Sequence, residues 1–462
     1  MKRVAYLFLV LFFVSCGSDN TTTLSSDSPN SNTPQQISSA RVSVQSVLSS
    51  MEKGRYRERE LLVKFRSGVV TASSLKTHQA LGAALLKRFA FVPNLEHVRL
   101  PEGLSVKDAI IKYMEDPSVE YAEPNYIKHT LTIPNDTHFG LQWALQNTGQ
   151  SVMGIKGTTG ADIKATAAWD INAGSNNVIV AVLDTGIDST HPDLAANVIP
   201  GENFVANPNT TNTTDDNGHG THVSGVIGAI GNNGIGVAGL MWSVKLMPLK
   251  FLDADGNGST ADEISAIEFA RTNGAKIMNA SFAGPEFSCA EYDAVNLASG
   301  SGVLMMAAAS NDGTNNDLTP QYPASFSNPS DKYLNNPNLR PPGSCAQVLP
   351  ALPNVISVAA TDQNDNLASF SNFGLNAVQV AAPGVNILST IPLDLPPCTT
   401  NPFEPNYDYC SGTSQATPFV SGLAGLIYSQ NPNLSYLQVR SIIFSTVDIL
   451  PSLNTKILTS GR

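Results

Sequence analysis

Three stretches of the sequence each set one reactive polar residue among glycines and small side chains: VLDTGIDSTHPDL around Asp184, DDNGHGTHVSG around His219 and YCSGTSQATPFVSG around Ser414. A serine hydroxyl is a weak nucleophile at neutral pH. It becomes an effective one when an imidazole accepts its proton and a carboxylate holds the imidazole tautomer and stabilises the imidazolium. Aspartate, histidine and serine are that set, and the chemistry they would support is acyl transfer. Each also has a plainer reading: Ser414 as a helix cap, and a histidine as a satisfied structural side chain, which suits His222, in the body of its helix, better than His219.

The surrounding patterns say which elements must position these groups. Asn177 to Leu183 is a short, unbroken β-branched and apolar run, the pattern of a buried parallel strand, and Asp184 stands where it ends. Open parallel sheets gather ligands and catalytic groups at those carboxyl ends. His219 lies between Gly218 and Gly220 at the start of an apolar helix, free to present its ring. Around Ser414, Gly412 and Thr413 leave the hydroxyl uncrowded and Pro418 suits a first helical turn. The run Phe419, Val420, Leu423, Ala424, Leu426 and Ile427 is apolar on nearly every side, so a buried helix carries the serine at its positive end. The predicted fold class is α/β, a doubly wound parallel sheet.

The order Asp, His, Ser, together with the strings DTGIDSTHPDL, NGHGTHVSG and SGTSQATP, closely resembles the subtilisin-like serine proteases over roughly Leu141 to Val447. The resemblance implies that Asp184, His219 and Ser414 form a catalytic triad. It implies that Asn311, which follows the buried strand Val303 to Ala309 in VLMMAAASNDG, donates its amide to the tetrahedral oxyanion. Ser281, Phe282 and Ala283 match the strand that pairs with extended substrate, and Ala308 and Ser310 fall at the specificity pocket. The family commonly has glycine at Ala283 and Ser310 and methionine at Gln415; the added groups narrow the pocket. Residues AIGNNGIGVAG resemble a calcium loop with one extra residue, with Asp193 as carboxylate ligand and oxygens from Asn233, Ile235 and Val237; a plain glycine-rich turn is the alternative.

The N-terminal third reads differently. Residues 1–16 begin with Lys2 and Arg3, continue in an apolar run from Val4 to Val14 too short to span a bilayer comfortably, and end at Ser15-Cys16. This is an export signal, and FVSC resembles a bacterial lipobox in which Cys16 becomes the lipid-bearing residue; an ordinary secretory signal is the other reading. Residues 17–55 are rich in Ser, Thr, Asn and Gln and predict a polar, disordered tether. Residues 56–130 alternate strand and helix patterns as βαββαβ, a small ferredoxin-like α+β unit. Its close, DPSVEYAEPNY, resembles the inhibitory propeptide that precedes the subtilisin-like catalytic domain, here placed at 135–450.

Of 462 residues, 42% are hydrophobic, enough for ordinary cores, and the formal charge is -11. An acidic chain without clustered Lys and Arg is a poor nucleic-acid binder. Setting aside Cys16, four of the five cysteines remain and allow three pairings; Cys289 with Cys345 and Cys398 with Cys410 is the expected one. None has a nearby histidine in sequence, so thiol catalysis is not expected. The sequence therefore predicts an exported, lipid-anchored serine endopeptidase made as a self-processed zymogen. Its expected partners are peptide or protein substrates, its own propeptide and the membrane, with structural calcium and no catalytic cofactor. The competing readings are a catalytically degenerate peptide-binding protein on the same fold and a structural surface lipoprotein.

Overall fold

The computed structural model describes residues 56–127, 132–393 and 403–462, with the single positions 48 and 395. Cys16, Cys398 and nearly all of the leader and tether lie outside the described residues. The chain divides into two compact units, Met1–His129 and Thr130–Arg462.

The first unit contains β1 (Tyr56–Phe65), α1 (Thr71–Ala80), β2 (Ala84–Arg88), β3 (Leu95–Arg99), α2 (Val106–Glu115) and β4 (Val119–Tyr126), the βαββαβ order expected. Its sheet has the order β2-β3-β1-β4, all neighbours antiparallel. Alternate residues of β1, Leu61, Val63 and Phe65, point inward as the two-residue strand period requires, and share a core with Ile110, Tyr113 and Met114 of α2. That helix starts where a cap fixes it: Ser105 Oγ accepts from Asp108 N at 3.0 Å and donates to Asp108 Oδ2 at 2.7 Å.

The second unit is built on a seven-stranded parallel sheet of β5 (Gly174–Asp184), β6 (Glu202–Asn203), β7 (Ser243–Lys250), β8 (Ile277–Ala280), β9 (Leu304–Ala308), β10 (Val355–Thr361) and β11 (Val380–Pro383). Their spatial order is β11-β10-β9-β8-β5-β7-β6. Strand β5 stands where the chain order reverses, the crevice position in which doubly wound sheets place their sites. Both faces are covered, so successive residues of β5 enter different cores. Val180 and Val182 pack with Val223 of α3 (His219–Gly228) and Phe419 of α6 (Thr413–Gln430). Ala181 and Leu183 pack with Ala266 of α4 (Thr260–Thr272) and Val295 of α5 (Cys289–Gly300). This two-sided burial is why the strand reads as an unbroken apolar run.

An antiparallel pair, β12 (Ile387–Thr390) and β13 (Tyr407–Cys410), leads into α6. The compact unit runs past residue 450: Leu450 N bonds Ser460 O at 2.9 Å, and Arg462 Nε lies 2.9 Å from Asp365 Oδ1. Cys289 and Cys345 are bonded, S–S 2.05 Å, as expected; Cys410 is also disulfide-bonded, to a partner outside the described residues.

Candidate active site

Asp184 is the last residue of β5 and is fully buried. Its Oδ1 accepts from His219 Nδ1 at 2.7 Å and from Thr185 N at 2.8 Å, while Oδ2 is buried with no partner among the described residues. A carboxylate can only accept, so Nδ1 carries the proton and Nε2 is left for chemistry. His219 opens α3 after Gly218, whose φ of +103° turns the chain into the helix; 29% of the ring side chain is exposed. At Gly220 a Cβ would lie 2.1 Å from Gly186 O, so only glycine lets the first turn of α3 close on the Asp184–Gly186 turn. Burial pulls the His219 pKa down, but the charge and hydrogen bond of Asp184 and the charge of Asp215 outweigh it and leave it above the ordinary histidine value. His222 faces inward, its Nε2 donating to Ile387 O at 3.0 Å; burial first, and then the His219 charge, lower it to about 4. It is the structural histidine of the pair.

Two residues that the sequence reading did not single out hold this corner. Buried Asp215 accepts through Oδ1 from Thr185 Oγ1 (2.8 Å), Asn217 N (3.0 Å) and Gly218 N (2.8 Å), and through Oδ2 from Thr221 N (2.9 Å) and Thr221 Oγ1 (2.7 Å). It ties the Asp184 turn to the His219 turn. Lys250, at the end of β7 and 4% exposed, donates to Thr185 O (2.6 Å), Leu252 O (3.0 Å) and Asp216 Oδ1 (2.7 Å). The available signals were an aspartate four residues before the histidine and a lysine ending an apolar strand.

Ser414 sits in the first turn of α6, where backbone N–H groups lack helical partners. It does not act as the cap; Gly412 occupies that position without a side-chain hydrogen bond. The hydroxyl donates to Ser281 O at 2.8 Å, and Ser281 Oγ donates back to Ser414 O at 2.8 Å. In this conformation Ser414 is thus turned toward Ser281, the residue that follows β8, while sharing a cavity with His219. Asn311 Oδ1 accepts from Thr413 N (2.8 Å) and Thr413 Oγ1 (3.0 Å), which fixes its amide and leaves Nδ2 as a donor beside Gly412; a Cβ there would stand 3.5 Å from it. The cavity is about 340 Å³ and takes in Ser281, Phe282, Ala283, Ala308, Ser310, Asn311 and Ser414, so every residue expected to meet substrate lies in its wall.

The loop around Asp193 is a second polar centre. Asp193 Oδ1 accepts from Asn233 Nδ2 at 2.7 Å; Oδ2 accepts from Val237 N and Tyr407 Oη, both at 2.9 Å. Ile235 donates its N–H to Asn233 Oδ1 at 3.0 Å and keeps its side chain exposed. A further carboxylate, Asp136, points here: its Oδ1 is buried without a partner among the described residues. Burial and then the Asp193 charge, against several backbone hydrogen bonds, push its pKa up. The asparagine amide, a backbone N–H and a tyrosine hydroxyl all face Asp193 as donors, so the oxygen that chemistry leaves available for a hard cation here is the orphaned Oδ1 of Asp136. Asp136 was missed because it lies far from the loop in sequence.

Comparison with known proteins agrees with this geometry. Residues 175–459 match the model of the subtilase family, and residues 43–125 match the fervidolysin N-terminal prodomain. The chain is 35% identical to a thermophilic serine proteinase of Bacillus sp. (strain AK1) over 411 residues, 88% of this chain and 86% of that one. It is 37% identical to thermitase of Thermoactinomyces vulgaris over 293 residues, 63% of this chain and 88% of that one. A solved structure of a Pseudoalteromonas arctica PAMC 21717 protease superposes with a TM-score of 0.56 at 27% identity, covering 71% of this chain and 96% of that one. With a family match across most of its length, a matching prodomain and relatives that are serine proteinases, the chain belongs to the subtilase family of serine endopeptidases.

Proposed function

We propose that this subtilase is exported, held at a membrane by lipid on Cys16, and made as a zymogen that frees itself of residues 56–130, its intramolecular inhibitor. The observation that carries the catalytic assignment is the 2.7 Å contact of Asp184 Oδ1 with His219 Nδ1 in a cavity wall shared by His219, Ser414 and Asn311. Ser414 Oγ attacks the scissile carbonyl carbon as its proton passes to His219 Nε2, and Asp184 stabilises the imidazolium. The oxyanion is held by Asn311 Nδ2 and the Ser414 N–H. Collapse breaks the C–N bond, the leaving amine takes the proton from His219, and water hydrolyses the acyl-enzyme ester by the same steps in reverse. Ser281, Phe282 and Ala283 pair with extended substrate, and Ala283, Ala308 and Ser310 narrow the pocket against large aromatic side chains. A degenerate peptide-binding protein on this scaffold would not need all four reacting groups in place.

We also infer a structural calcium held by Asp136, Asp193 and Asn233 with oxygens of Ile235 and Val237; once bound it supplies the positive charge that two adjacent buried carboxylates lack. Millimolar chelator is expected to lower the unfolding temperature and added calcium to restore it; no shift would leave Asp193 a loop-bracing carboxylate. For export, Cys16→Ser is expected to release the protein from membrane fractions or stall its processing, and an unchanged membrane fraction would point to another attachment.

Two proteins from one host test the whole reading. Wild type is expected to hydrolyse a protein substrate and to yield a fragment beginning between Ile127 and His138, while Ser414→Ala stays joined. Cleavage of Ser414→Ala at the same place and rate would assign maturation to another protease. A mature wild type without hydrolysis would overturn the endopeptidase assignment.

A further inference from the structure

The turn that carries Asn311 is an uncomfortable one. Ser310, the residue before it, has φ +86°, in the left-handed region that a side chain ordinarily avoids. Such a conformation persists only where its surroundings over-determine it. Ser310 Oγ donates to Asp312 Oδ2 at 2.8 Å and Thr413 holds Asn311 Oδ1, while the backbone on either side is gripped by one segment, Phe370–Phe373, through Asn372, which is fully buried.

The backbone N–H of Asn372 donates to Ser310 O at 3.0 Å, and its side-chain Oδ1 accepts from Asp312 N at 2.9 Å and from Thr314 N at 3.0 Å. The two residues that flank Asn311 are thus both fixed by this one asparagine. Its Nδ2 donates to Oδ1 of Asn316, also fully buried, at 2.9 Å, and Asn316 Nδ2 donates to Ala309 O at 2.8 Å. Gly313 N bonds Phe370 O at 2.7 Å and Phe373 N bonds Thr314 O at 3.0 Å, closing the grip on either side. The segment itself is tied to β10, since Ser371 Oγ accepts from Ala360 N and donates to Asn372 O, both at 2.9 Å. Buried polar networks are costly when half satisfied and rigid when complete. This one connects the central sheet to the turn of a single functional side chain.

We propose that Asn372 is a positioning residue for the reaction: by holding Ser310 and Asp312 it aims the Asn311 amide at the place where the oxyanion develops. The geometry demand is strict, because an oxyanion donor acts at 2.7–3.1 Å from an atom that carries full charge only in the transition state. A displaced turn therefore slows turnover while leaving ground-state binding nearly intact. The proposal rests on the oxyanion role given to Asn311, so the test separates the two.

The experiment is a double-mutant cycle on mature enzyme, with active sites counted by fluorophosphonate titration so that misfolded protein does not enter kcat. Asn311→Ala alone is expected to lower kcat about 10²- to 10³-fold, the size known for this donor in subtilisin. Asn372→Ala alone is expected to lower kcat about tenfold with KM within about twofold, and to cost less than about twofold more in the Asn311→Ala background, since residues acting through one group are not additive. If Asn372→Ala yields no titratable enzyme, Asn316→Ala runs the same cycle, with the same non-additivity expected. An equal loss with or without Asn311, or a loss that sits in KM, overturns the positioning role and leaves Asn372 a structural residue. An Asn311→Ala enzyme with unchanged kcat overturns the oxyanion reading instead, whatever Asn372 does.

Discussion

In the small unit His78 Nε2 lies 2.6 Å from Glu96 Oε2; in the large one His219 Nδ1 lies 2.7 Å from Asp184 Oδ1. A serine stands near each carboxylate-bound histidine, Ser74 in the first case and Ser414 in the second. The difference is in the remaining valences. The other nitrogen of His78 meets Tyr113 Oη at 2.9 Å, its ring is 1% exposed between Phe65 and Tyr113, and the single proton of Ser74 Oγ is shared between Glu96 Oε1 at 3.1 Å and Thr71 O at 3.0 Å. The serine serves the carboxylate, and nothing is left over. His219 keeps Nε2 for other work, is partly exposed, and shares an open cavity with a serine whose own bond is to a single backbone carbonyl. A histidine–carboxylate pair becomes reactive through what it leaves unbound and where it leaves it.

The largest effect that sharpens this contrast is on turnover. His219→Ala is expected to reduce kcat on the order of 10⁶-fold, the magnitude known from subtilisin's own triad, with Asp184→Asn falling by about 10⁴. With the cleaved small unit kept in the sample, Ser74→Ala and His78→Gln should leave the kcat per titrated active site within about twofold; a loss comparable to His219→Ala would erase the distinction.

Stability divides the two pairs the other way. Burial alone would raise the Glu96 pKa, but hydrogen bonds from Arg88, His78 and Ser74 hold it below the usual carboxylate range. A lowered folded-state pKa contributes stability above the unfolded value and loses it as pH falls through the folded one. Removing one partner of a buried pair costs about 3 kcal/mol. In the Ser414→Ala zymogen at pH 7, Glu96→Gln is therefore expected to unfold the small unit at lower denaturant than the parent. Equal midpoints would mean that the pair is an ornament of the fold.

The pH dependence of kcat/KM is a smaller, directional test. His219 must be neutral to accept a proton and its pKa is raised, so activity should climb with pH to a midpoint above 6.5. Asp215→Asn removes one raising charge and should move that midpoint down. A flat profile from pH 5 to 8 would remove His219 from the base role.

A third arrangement has carboxyls with no base beside them. Glu263 of α4 and Glu291 of α5 are both buried and bonded to each other; burial, with mutual repulsion at Glu291, raises both, Glu263 to about 8. The native pair holds protons that the unfolded chain releases near pH 4.3, so stability declines as pH rises from there through about 8. Glu263→Gln is expected to flatten that decline and raise the unfolding temperature at pH 9 by about 2–4 °C. No gain at pH 9 relative to pH 5 would show the pair to be relaxed by its surroundings.

What could be read in the sequence was local. The unbroken apolar runs around Val180 and Met305 gave buried parallel strands because both faces of the sheet are covered, and the glycines flanking His219 and preceding Ser414 marked residues that needed room. What escaped was reciprocal and distant. Asp215 looks like any loop aspartate until its two oxygens are seen to collect donors from Thr185 on one side and Thr221 on the other, and Asp136 and Asn372 act on turns that lie elsewhere in the chain. The direction of the Ser414 hydroxyl, toward Ser281 O, follows from packing between two separate elements and has no sequence signal.

The most direct test of the central claim, that the reactive set is Ser414 with His219 and Asp184 and not its buried counterpart, is fluorophosphonate labelling followed by peptide mass spectrometry, with variants that do not process themselves cut in trans by a trace of wild type and both fragments kept in the sample. The account predicts one adduct per chain, on the peptide containing Ser414. It predicts that the adduct is lost in Ser414→Ala, strongly slowed in His219→Ala and unchanged, with both fragments present, by Ser74→Ala or His78→Gln. An adduct at any other serine, or undiminished labelling of Ser414→Ala, would contradict it.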